Sequence, residues 1–342
     1  MQTGEADNLK LIKLENRNGF KVELLNLGAT LARVSAPDRD GGHADLILGY
    51  DSPEEYLKDR FYFGSTPGRY ANRIGGAQFY LDGVRYELTR NEGRNQLHGG
   101  ETGFAKRIWQ VSMEGGAAVF TYTSADGENG YPGALTARVA YSLNDDNEIT
   151  IGYSAVSDAD TVVNLTNHAY FNLDGCEGNI LGHRLWLNAD SFLETDEENI
   201  PTGEMSRTSG GPLDFSSPIR IRDAIGVDEA DENCDGDAGG VDSCFVLNAE
   251  GAKGLRRAAV LTGGRTGRTL EVDTDLPGLQ VYTGHFIAGG TKGAGGREYG
   301  PYSGVCLEAQ NFPDAPNHPE FPSAVLKKGE EFKAAVIYRF TC

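Results

Sequence analysis

The chain has 342 residues, with 31 Lys and Arg against 50 Asp and Glu, so that its formal charge is −19. That acidic balance argues against nucleic acid or an anionic membrane as a partner, and no apolar run approaches the ~20 residues that span a bilayer. Glycine is frequent, at 46 residues, which favours many short strands joined by turns over long helices.

Length alone suggests about two domains, but all-β sandwiches often run past about 200 residues as one unit. Because no internal repeat or convincing linker interrupts the chain, we predict a single domain over residues 1–342. The five cysteines are odd in number and lack metal-ligand spacing, which indicates small buried side chains in a reducing compartment. The polar N-terminus lacks the pattern of a signal peptide, and these features together predict a cytoplasmic protein.

The chain begins with short apolar runs between residues 9 and 35. Asp45–Tyr50 has the composition of a buried strand, and Ser52–Leu57 predicts a short helical turn capped by Ser52. Asp82 and Gly83 separate two alternating arms and predict a hairpin.

Further alternating segments predict strands at Gln110–Ser124, Leu135–Leu143, Glu148–Val156, Arg184–Leu187, Leu279–Tyr282, Val305–Ala309 and Lys333–Phe340. Helical periodicity is nowhere sustained over more than about two turns, so the pattern predicts an all-β protein.

The segment Asn164–Leu173 alternates with period two, and we interpret it as a strand with one polar and one largely apolar face. The polar face carries two amides, a hydroxyl, a phenol and the imidazole of His168, a set that suits a neutral ligand rich in hydroxyls. A core histidine satisfied by its neighbours would give the same pattern, and the strand alone does not separate the two interpretations.

Four other segments place polar side chains among glycines or apolar residues. They are Gly68–Gly75 with Asn72 and Arg73, Asn91–Gly100 with His98, Gly239–Leu247 with Asp242, and Gly304–Pro313 with Glu308. A carboxylate such as Glu308 is unusual in an apolar run, and burial would raise its pKa, as a general base working near neutrality requires. The alternatives for these segments, in the same order, are a surface turn, a loop histidine that binds nothing, a turn cap and a half-exposed strand Glu.

Metal binding is not predicted, because the histidines lack zinc-site spacing and a third ligand. The acidic run 228–237 lacks the oxygen-ligand spacing of an EF-hand and is interpreted as a solvated loop. No phosphate-binding glycine loop or serine nucleophile elbow is present in the sequence.

Several ordered motifs resemble those of the aldose 1-epimerases, also called galactose mutarotases, from about Asn26 to the C-terminus. The matching blocks are Gly68-Arg-Tyr-Ala-Asn-Arg-Ile74, Asn95-Gln-Leu-His-Gly-Gly100, Gly103-Phe104 with Trp109, Asp126-Gly-Glu-Asn-Gly-Tyr-Pro-Gly133, Asn164–Leu173, Leu276-Pro-Gly-Leu-Gln-Val-Tyr-Thr-Gly284 and Glu308-Ala-Gln310. Coincidence does not account for this number of specific blocks in one order.

The resemblance implies a large antiparallel β-sandwich of the galactose mutarotase-like supersandwich type, with an open sugar-binding cleft. It implies that His168 is the general acid and Glu308 the general base of an enzyme that interconverts the α and β anomers of free hexoses, such as D-galactose and D-glucose, without a cofactor. Positions that bind or orient the sugar in the family match Asn72, Arg73, His98, Tyr170, Asp242 and Gln280.

One departure from the family pattern is Ser243, which follows Asp242 where His or Asn is usual, so we expect an altered sugar preference. Three alternatives remain open: a hexose-6-phosphate 1-epimerase, a non-catalytic sugar-binding protein, and a glycosidase using Asp242 and Glu308. The sequence does not distinguish a monomer from a homodimer.

Overall fold

The computed structural model describes residues 6–37, 42–228, 239–248 and 254–341. The predicted turn at 38–42 and the acidic run 228–237 lie outside these residues, except for Gly42 and Asp228. No helix in the described ranges is both long and apolar enough to cross a membrane.

Within those residues the chain forms 27 strands. In chain order, β1 to β27 are Leu11–Glu15, Lys21–Leu25, Thr30–Pro37, His43–Asp45, Arg73–Ile74, Gln78–Leu81, Val84–Glu87, Gln96–Leu97, Gln110–Glu114, Ala117–Ser124, Leu135–Leu143, Glu148–Ser157, Thr161–Val162, Tyr170–Phe171, Arg184–Leu187, Ala189–Thr195, Pro201–Arg207, Ile219–Arg220, Asp242–Leu247, Arg256–Thr262, Thr269–Thr274, Gly278–Tyr282, Thr291–Lys292, Glu298–Tyr299, Val305–Gln310, Val325–Leu326 and Glu331–Thr341.

The described helices are short. One α-helix, α1, spans Ile221–Ile225, and the 3₁₀ helices are Ala6–Asn8, Glu55–Lys58, Gly75–Ala77, Phe104–Lys106, Glu128–Gly130, Ala294–Gly296 and Ala315–Asn317. The prediction of an all-β protein is confirmed.

Two large antiparallel sheets dominate the fold. The first has nine strands in the order β18-β15-β20-β21-β27-β12-β11-β10-β9, and the second has six in the order β14-β25-β22-β19-β16-β17. Strands β1 to β4 form a separate four-stranded antiparallel sheet, and four two-stranded pairs complete the described strands.

One apolar core joins the two large sheets. Val139, Ile151 and Val336 of the nine-stranded sheet belong to the same buried cluster as Leu279 and Leu307 of the six-stranded sheet. In β12 and β27 exposure alternates along the strand, as expected where one face packs and the other meets water. This is sheet-on-sheet packing, and the β-sandwich prediction is confirmed.

The central strands of the six-stranded sheet are buried on both faces. All six residues of β25 are buried, as are four of the five in β22. One face packs into the core through Leu279, Val281 and Leu307, so the polar side chains on the opposite face are held away from bulk water. That opposite face forms the floor of a cleft.

The local predictions succeeded where alternation was combined with a turn signal. The Asp82–Gly83 hairpin joins β6 to β7, with φ of 50° and 79° at its two central residues. At the predicted helical turn, the Glu55 carboxylate accepts from the Ser52 amide and hydroxyl, although the 3₁₀ helix begins at Glu55.

Two strand predictions were wrong. Within Asn164–Leu173 only Tyr170 and Phe171 form a strand, and every residue is buried on both supposed faces. Its main chain bonds to loops instead: the Asn164 amide donates to the Arg69 carbonyl, and the His168 amide donates to the Ser65 carbonyl. In the predicted strand Asp45–Tyr50, residues 46–49 are buried but form no ladder, and Ile47 makes only an isolated bridge to Phe171.

Candidate active site

The cleft floor is built from cross-strand rows of the six-stranded sheet. Gln280 of β22 lies opposite Glu308 of β25. A neighbouring row places Asp242 of β19 opposite Tyr282, and Cys306 opposite both Tyr282 and Tyr170. Because side chains alternate along a strand, these residues point away from the core face that carries Leu279 and Leu307.

Two loop-borne segments form the facing wall. Asn72 and Arg73 lead into the short β5, which pairs with β8, and His98 follows β8 directly. The His98 amide donates to the Asn72 carbonyl at 3.0 Å, and the Asn72 amide donates to His98 Nδ1 at 3.1 Å. These reciprocal bonds fix His98 in the left-handed region, at φ 52°, and leave its Nε2 for the cleft.

The two residues assigned to acid–base chemistry face each other. His168 Nε2 lies 3.6 Å from Glu308 Oε1, and the two side chains are 6% and 2% exposed. Glu308 Oε2 has no hydrogen-bond partner among the described residues, so one carboxylate oxygen remains for a ligand.

Burial shifts both members of this pair toward their uncharged forms. It raises the pKa of Glu308 well above its usual range, with the negative charge of Asp242 adding to the rise and Arg73 opposing it. Burial also lowers the pKa of His168 to about 4. A proton shared by the pair therefore rests on Glu308 while the cleft holds no charged ligand.

A hydrogen bond also links Asp242 and Gln280, in which Gln280 Nε2 donates to Asp242 Oδ1 at 2.6 Å. This bond leaves the Gln280 carbonyl and one Asp242 oxygen as acceptors beside Glu308. Acceptors of this kind suit ligand hydroxyls.

The two arginines of the Gly68–Ile74 motif have different tasks. Arg69 is buried and donates to the Pro132 and Gly133 carbonyls and to Ser124 Oγ, so it holds the scaffold. Arg73 faces the cleft, and Glu92 accepts from its Nε and Nη2 at 2.7 and 2.9 Å. This fork fixes the guanidinium plane and partly neutralises its charge.

All eight predicted site residues line one cavity of about 300 Å³. The residues that line this cavity are Arg60, Phe61, Tyr62, Asn72, Arg73, Glu92, Leu97, His98, His168, Tyr170, Asp242, Gln280, Tyr282, Phe286 and Glu308. The structure therefore brings together residues between 72 and 308 of the sequence. Ser243 is not part of this lining, since alternation turns it toward the opposite face of β19 from Asp242.

Tyr62 is the main lining residue that sequence reasoning missed. Its ring stacks on that of His168 with a centroid distance of 5.8 Å and contacts His98 in a tilted arrangement at 4.6 Å, and burial raises the pKa of Tyr62 to about 12. No motif marks this loop. Glu92 and Tyr282 lie inside motifs that the sequence analysis named. The carboxylate of Glu92 and the aromatic ring of Tyr282 are the features that could have indicated a place in the site.

His168, Cys306 and Glu308 are a candidate set of metal ligands, with one donor atom from each within 4.8 Å of the others. However, Cys306 Sγ contacts His168 Nδ1 at 3.5 Å, while Glu308 faces the other ring nitrogen. One ion cannot bind both nitrogens, so a shared site requires a side-chain rotation, and this arrangement fits a metal poorly.

The family model and the individual relatives that match this sequence agree with one another. Residues 10–339 match the sequence model of the aldose 1-epimerase family. The chain is 41% identical to galactose mutarotase from Bos taurus over 94% of this chain and 91% of the relative. It is 39% identical to aldose 1-epimerase from Escherichia coli over 97% and 95% of the two chains.

Solved structures agree with the sequence comparisons. An aldose epimerase homologue from C. elegans superposes with a TM-score of 0.88 at 30% identity, covering 97% of this chain and 99% of that one. Galactose 1-epimerase from Lactobacillus acidophilus gives a TM-score of 0.81 at 32% identity, with 97% and 94% covered.

Proposed function

Because the chain belongs to the aldose 1-epimerase family, we propose that its cleft interconverts the α and β anomers of free hexoses, with His168 and Glu308 as the acid–base pair. The observation that carries this proposal is the 3.6 Å approach of His168 Nε2 to Glu308 Oε1 in a cleft lined by sugar-compatible polar groups. Galactose and glucose are the proposed substrates.

The proposed reaction needs only proton transfers. Ionised Glu308 takes the proton of the anomeric hydroxyl while protonated His168 gives its Nε2 proton to the ring oxygen. The bond between C1 and the ring oxygen breaks, C1 becomes an aldehyde carbon, and rotation about C1–C2 presents its other face. Closure reverses both transfers and returns each group to its starting state. Each such group typically contributes roughly 10²–10⁴-fold.

The pKa shifts of the pair support these roles. A carboxylate with a raised pKa is a stronger base than an ordinary one, and a histidine with a lowered pKa is a stronger acid. Moving the shared proton from Glu308 to His168 produces the reactive form, and Arg73 favours that transfer by stabilising the ionised carboxylate.

The charges around the cleft favour a neutral sugar over a sugar phosphate. Arg60 and Arg73 are its lining cations, against Glu92 and Asp242 as anions while Glu308 holds its proton, and Arg73 is already held by Glu92. A dianionic phosphate would therefore find no surplus of positive charge in this lining. The free cysteines Cys176, Cys244 and Cys306 fit our proposal that the enzyme works in the reducing cytoplasm.

Polarimetry on freshly dissolved α-D-galactose and α-D-glucose tests the activity. We expect a rate well above that of buffer, unchanged by EDTA. Folded protein that gives no acceleration with either sugar would refute the proposal, and cleavage of a glycoside instead would indicate a glycosidase.

Two variants test the roles of the pair. Glu308→Gln and His168→Asn should each reduce kcat by roughly 10²-fold or more while galactose binding, followed by calorimetry, persists. Retention of the full rate in either variant would show that the residue concerned has been assigned the wrong role.

A further inference from the structure

Cys306 is a buried residue that the proposed reaction does not use, yet it touches two residues of the site. It is fully buried on β25, two positions before Glu308 on the same face of the strand. Its Sγ lies 3.5 Å from His168 Nδ1. On the neighbouring strand it is paired with Tyr170, whose ring stacks on that of His168 with a centroid distance of 5.1 Å.

From this geometry we propose that Cys306 is a positioning residue whose sulfur accepts from the Nδ1–H of His168, so that Nε2 alone exchanges the proton with Glu308 and sugar. The inference rests on the acid role proposed for His168. It assigns the tautomer of the ring and the direction of each hydrogen bond around it.

The direction of the Nδ1 bond follows from what faces the other ring nitrogen. Nε2 lies 3.6 Å from Glu308 Oε1, and burial raises the pKa of Glu308 so that this carboxyl holds the shared proton. Nε2 therefore faces a donor and presents its lone pair, so the neutral ring carries its proton on Nδ1, where Cys306 Sγ lies 3.5 Å away as the acceptor.

The reaction requires the same tautomer. When protonated His168 gives its Nε2 proton to the ring oxygen, the neutral imidazole that remains has its proton on Nδ1. A ring held in this form has a lone pair on Nε2 ready to take the proton back, and no internal proton shift is needed between ring opening and closure.

A thiol suits this position because sulfur is a weak acceptor. A carboxylate facing Nδ1 would stabilise the imidazolium and make it a poorer acid, as the orienting aspartate does in the Ser-His-Asp triad. The sulfur orients the ring without adding a charge.

Nitrogen-15 NMR of histidine-labelled protein tests the tautomer directly. With six histidines in the chain, the His168 signals are assigned as those missing from the His168→Asn spectrum. We expect neutral His168 to carry its proton on Nδ1. A wild-type spectrum with the proton on Nε2 would overturn the inference even if the enzyme is fully active.

Kinetics of three variants then separate positioning from packing. Cys306→Ala should lower kcat roughly tenfold, a part of the 10²–10⁴-fold typical of an acid–base group, with KM unchanged and a smaller Nδ1–H population. Cys306→Ser, whose hydroxyl is also an acceptor, should keep most of the wild-type kcat and most of the Nδ1–H population.

The matched control is Cys176→Ala, a buried free thiol whose Sγ donates to the Asp45 carbonyl, and it should change neither readout. If Cys306→Ala keeps the wild-type kcat and tautomer, or if Cys306→Ser behaves like Cys306→Ala, the positioning role is wrong. Failure of the acid role itself appears separately, as activity retained by His168→Asn.

Discussion

The pKa of Glu308 is the residue-scale property that most directly governs activity. Burial raises it, and Asp242 raises it further because a second negative charge lies nearby. The reactive form holds one proton on the pair, so activity falls as pH rises through the raised pKa of Glu308 and that proton is lost. The alkaline limb of kcat/KM therefore follows the pKa of Glu308, whereas the acid limb follows protonation of His168, whose pKa is about 4.

Asp242→Asn should move that alkaline limb to lower pH, since it removes a charge that opposes ionisation of Glu308. A pH profile of kcat/KM for galactose measures the shift independently of any loss of sugar affinity. Glu114→Gln, at an exposed carboxylate on β9, serves as the control and should leave the limb in place. A limb that moves to higher pH in Asp242→Asn would contradict the electrostatic assignment.

Arg73 is held by a two-point contact that lysine cannot reproduce. Arg73→Lys loses the fork on Glu92, and we expect KM for galactose to rise about tenfold, equivalent to about 1.4 kcal/mol, with a smaller change in kcat. Arg94→Lys breaks the geometry of a solvent-exposed pair with Glu198 and should leave KM unchanged. Equal effects in the two variants would argue against a sugar-binding role for Arg73.

At the element scale, the loop that carries His98 is packed against the Gly68–Arg69 main chain. A Cβ added to Gly99, at φ +80°, would lie 1.9 Å from the Gly68 carbonyl oxygen. Only glycine fits this approach, so the position of His98 depends on a residue with no side chain.

Gly99→Ala tests that dependence, with Gly93→Ala as a matched control. Both glycines have positive φ, but a Cβ at Gly93 meets no atom within 4 Å. Gly93→Ala should cost about 1–2 kcal/mol for the left-handed backbone alone. Gly99→Ala should cost about 1–3 kcal/mol more in denaturant unfolding, because it also overpacks the loop, and it should lower activity. Equal costs would show that the loop adapts.

The element scale also shows where sequence reasoning stops. Alternation combined with a turn signal identified the hairpins and β10 to β12. In β11 and β12 one face of the strand packs while the other meets water. Alternation failed at Asn164–Leu173, where the polar side chains bond to main chain: Asn164 donates to the Ala71 and Asn311 carbonyls, and Asn172 to the Ser303 carbonyl. The spacing of polar residues does not reveal such partners.

The site itself was predictable to the extent that its residues lie in recognisable motifs. All eight named residues line the cleft, whereas Tyr62 did not emerge, since an aromatic residue in an unmarked loop carries no signal of its own. The 3.6 Å contact between His168 and Glu308 was also beyond the sequence, because it depends on how β25 and the 164–173 segment pack together.

At the scale of the whole molecule, the charge of −19 sets how the enzyme meets its substrate. A neutral hexose gains nothing from steering, so kcat/KM for galactose should stay constant between low and high salt. An anionic sugar would be repelled at low salt and would react better as ions screen the field.

Mutarotation of galactose and of glucose 6-phosphate, each measured at several NaCl concentrations, tests this expectation. We expect galactose to be the better substrate at every salt concentration. A preference for the phosphate that weakens with added salt would instead support the hexose-6-phosphate alternative.

The wide separation of the site residues along the chain has a consequence for how the protein folds. His168 and Cys306 are 138 positions apart, and the Tyr70 hydroxyl bonds to a carbonyl 242 positions away. Contacts this distant in sequence form slowly, because long loops must close before any stabilising contact is made. Enzymatic activity should therefore return late in refolding, after the local hairpins have formed. A contiguous fragment of the chain can assemble the catalytic pair only if it contains both His168 and Glu308.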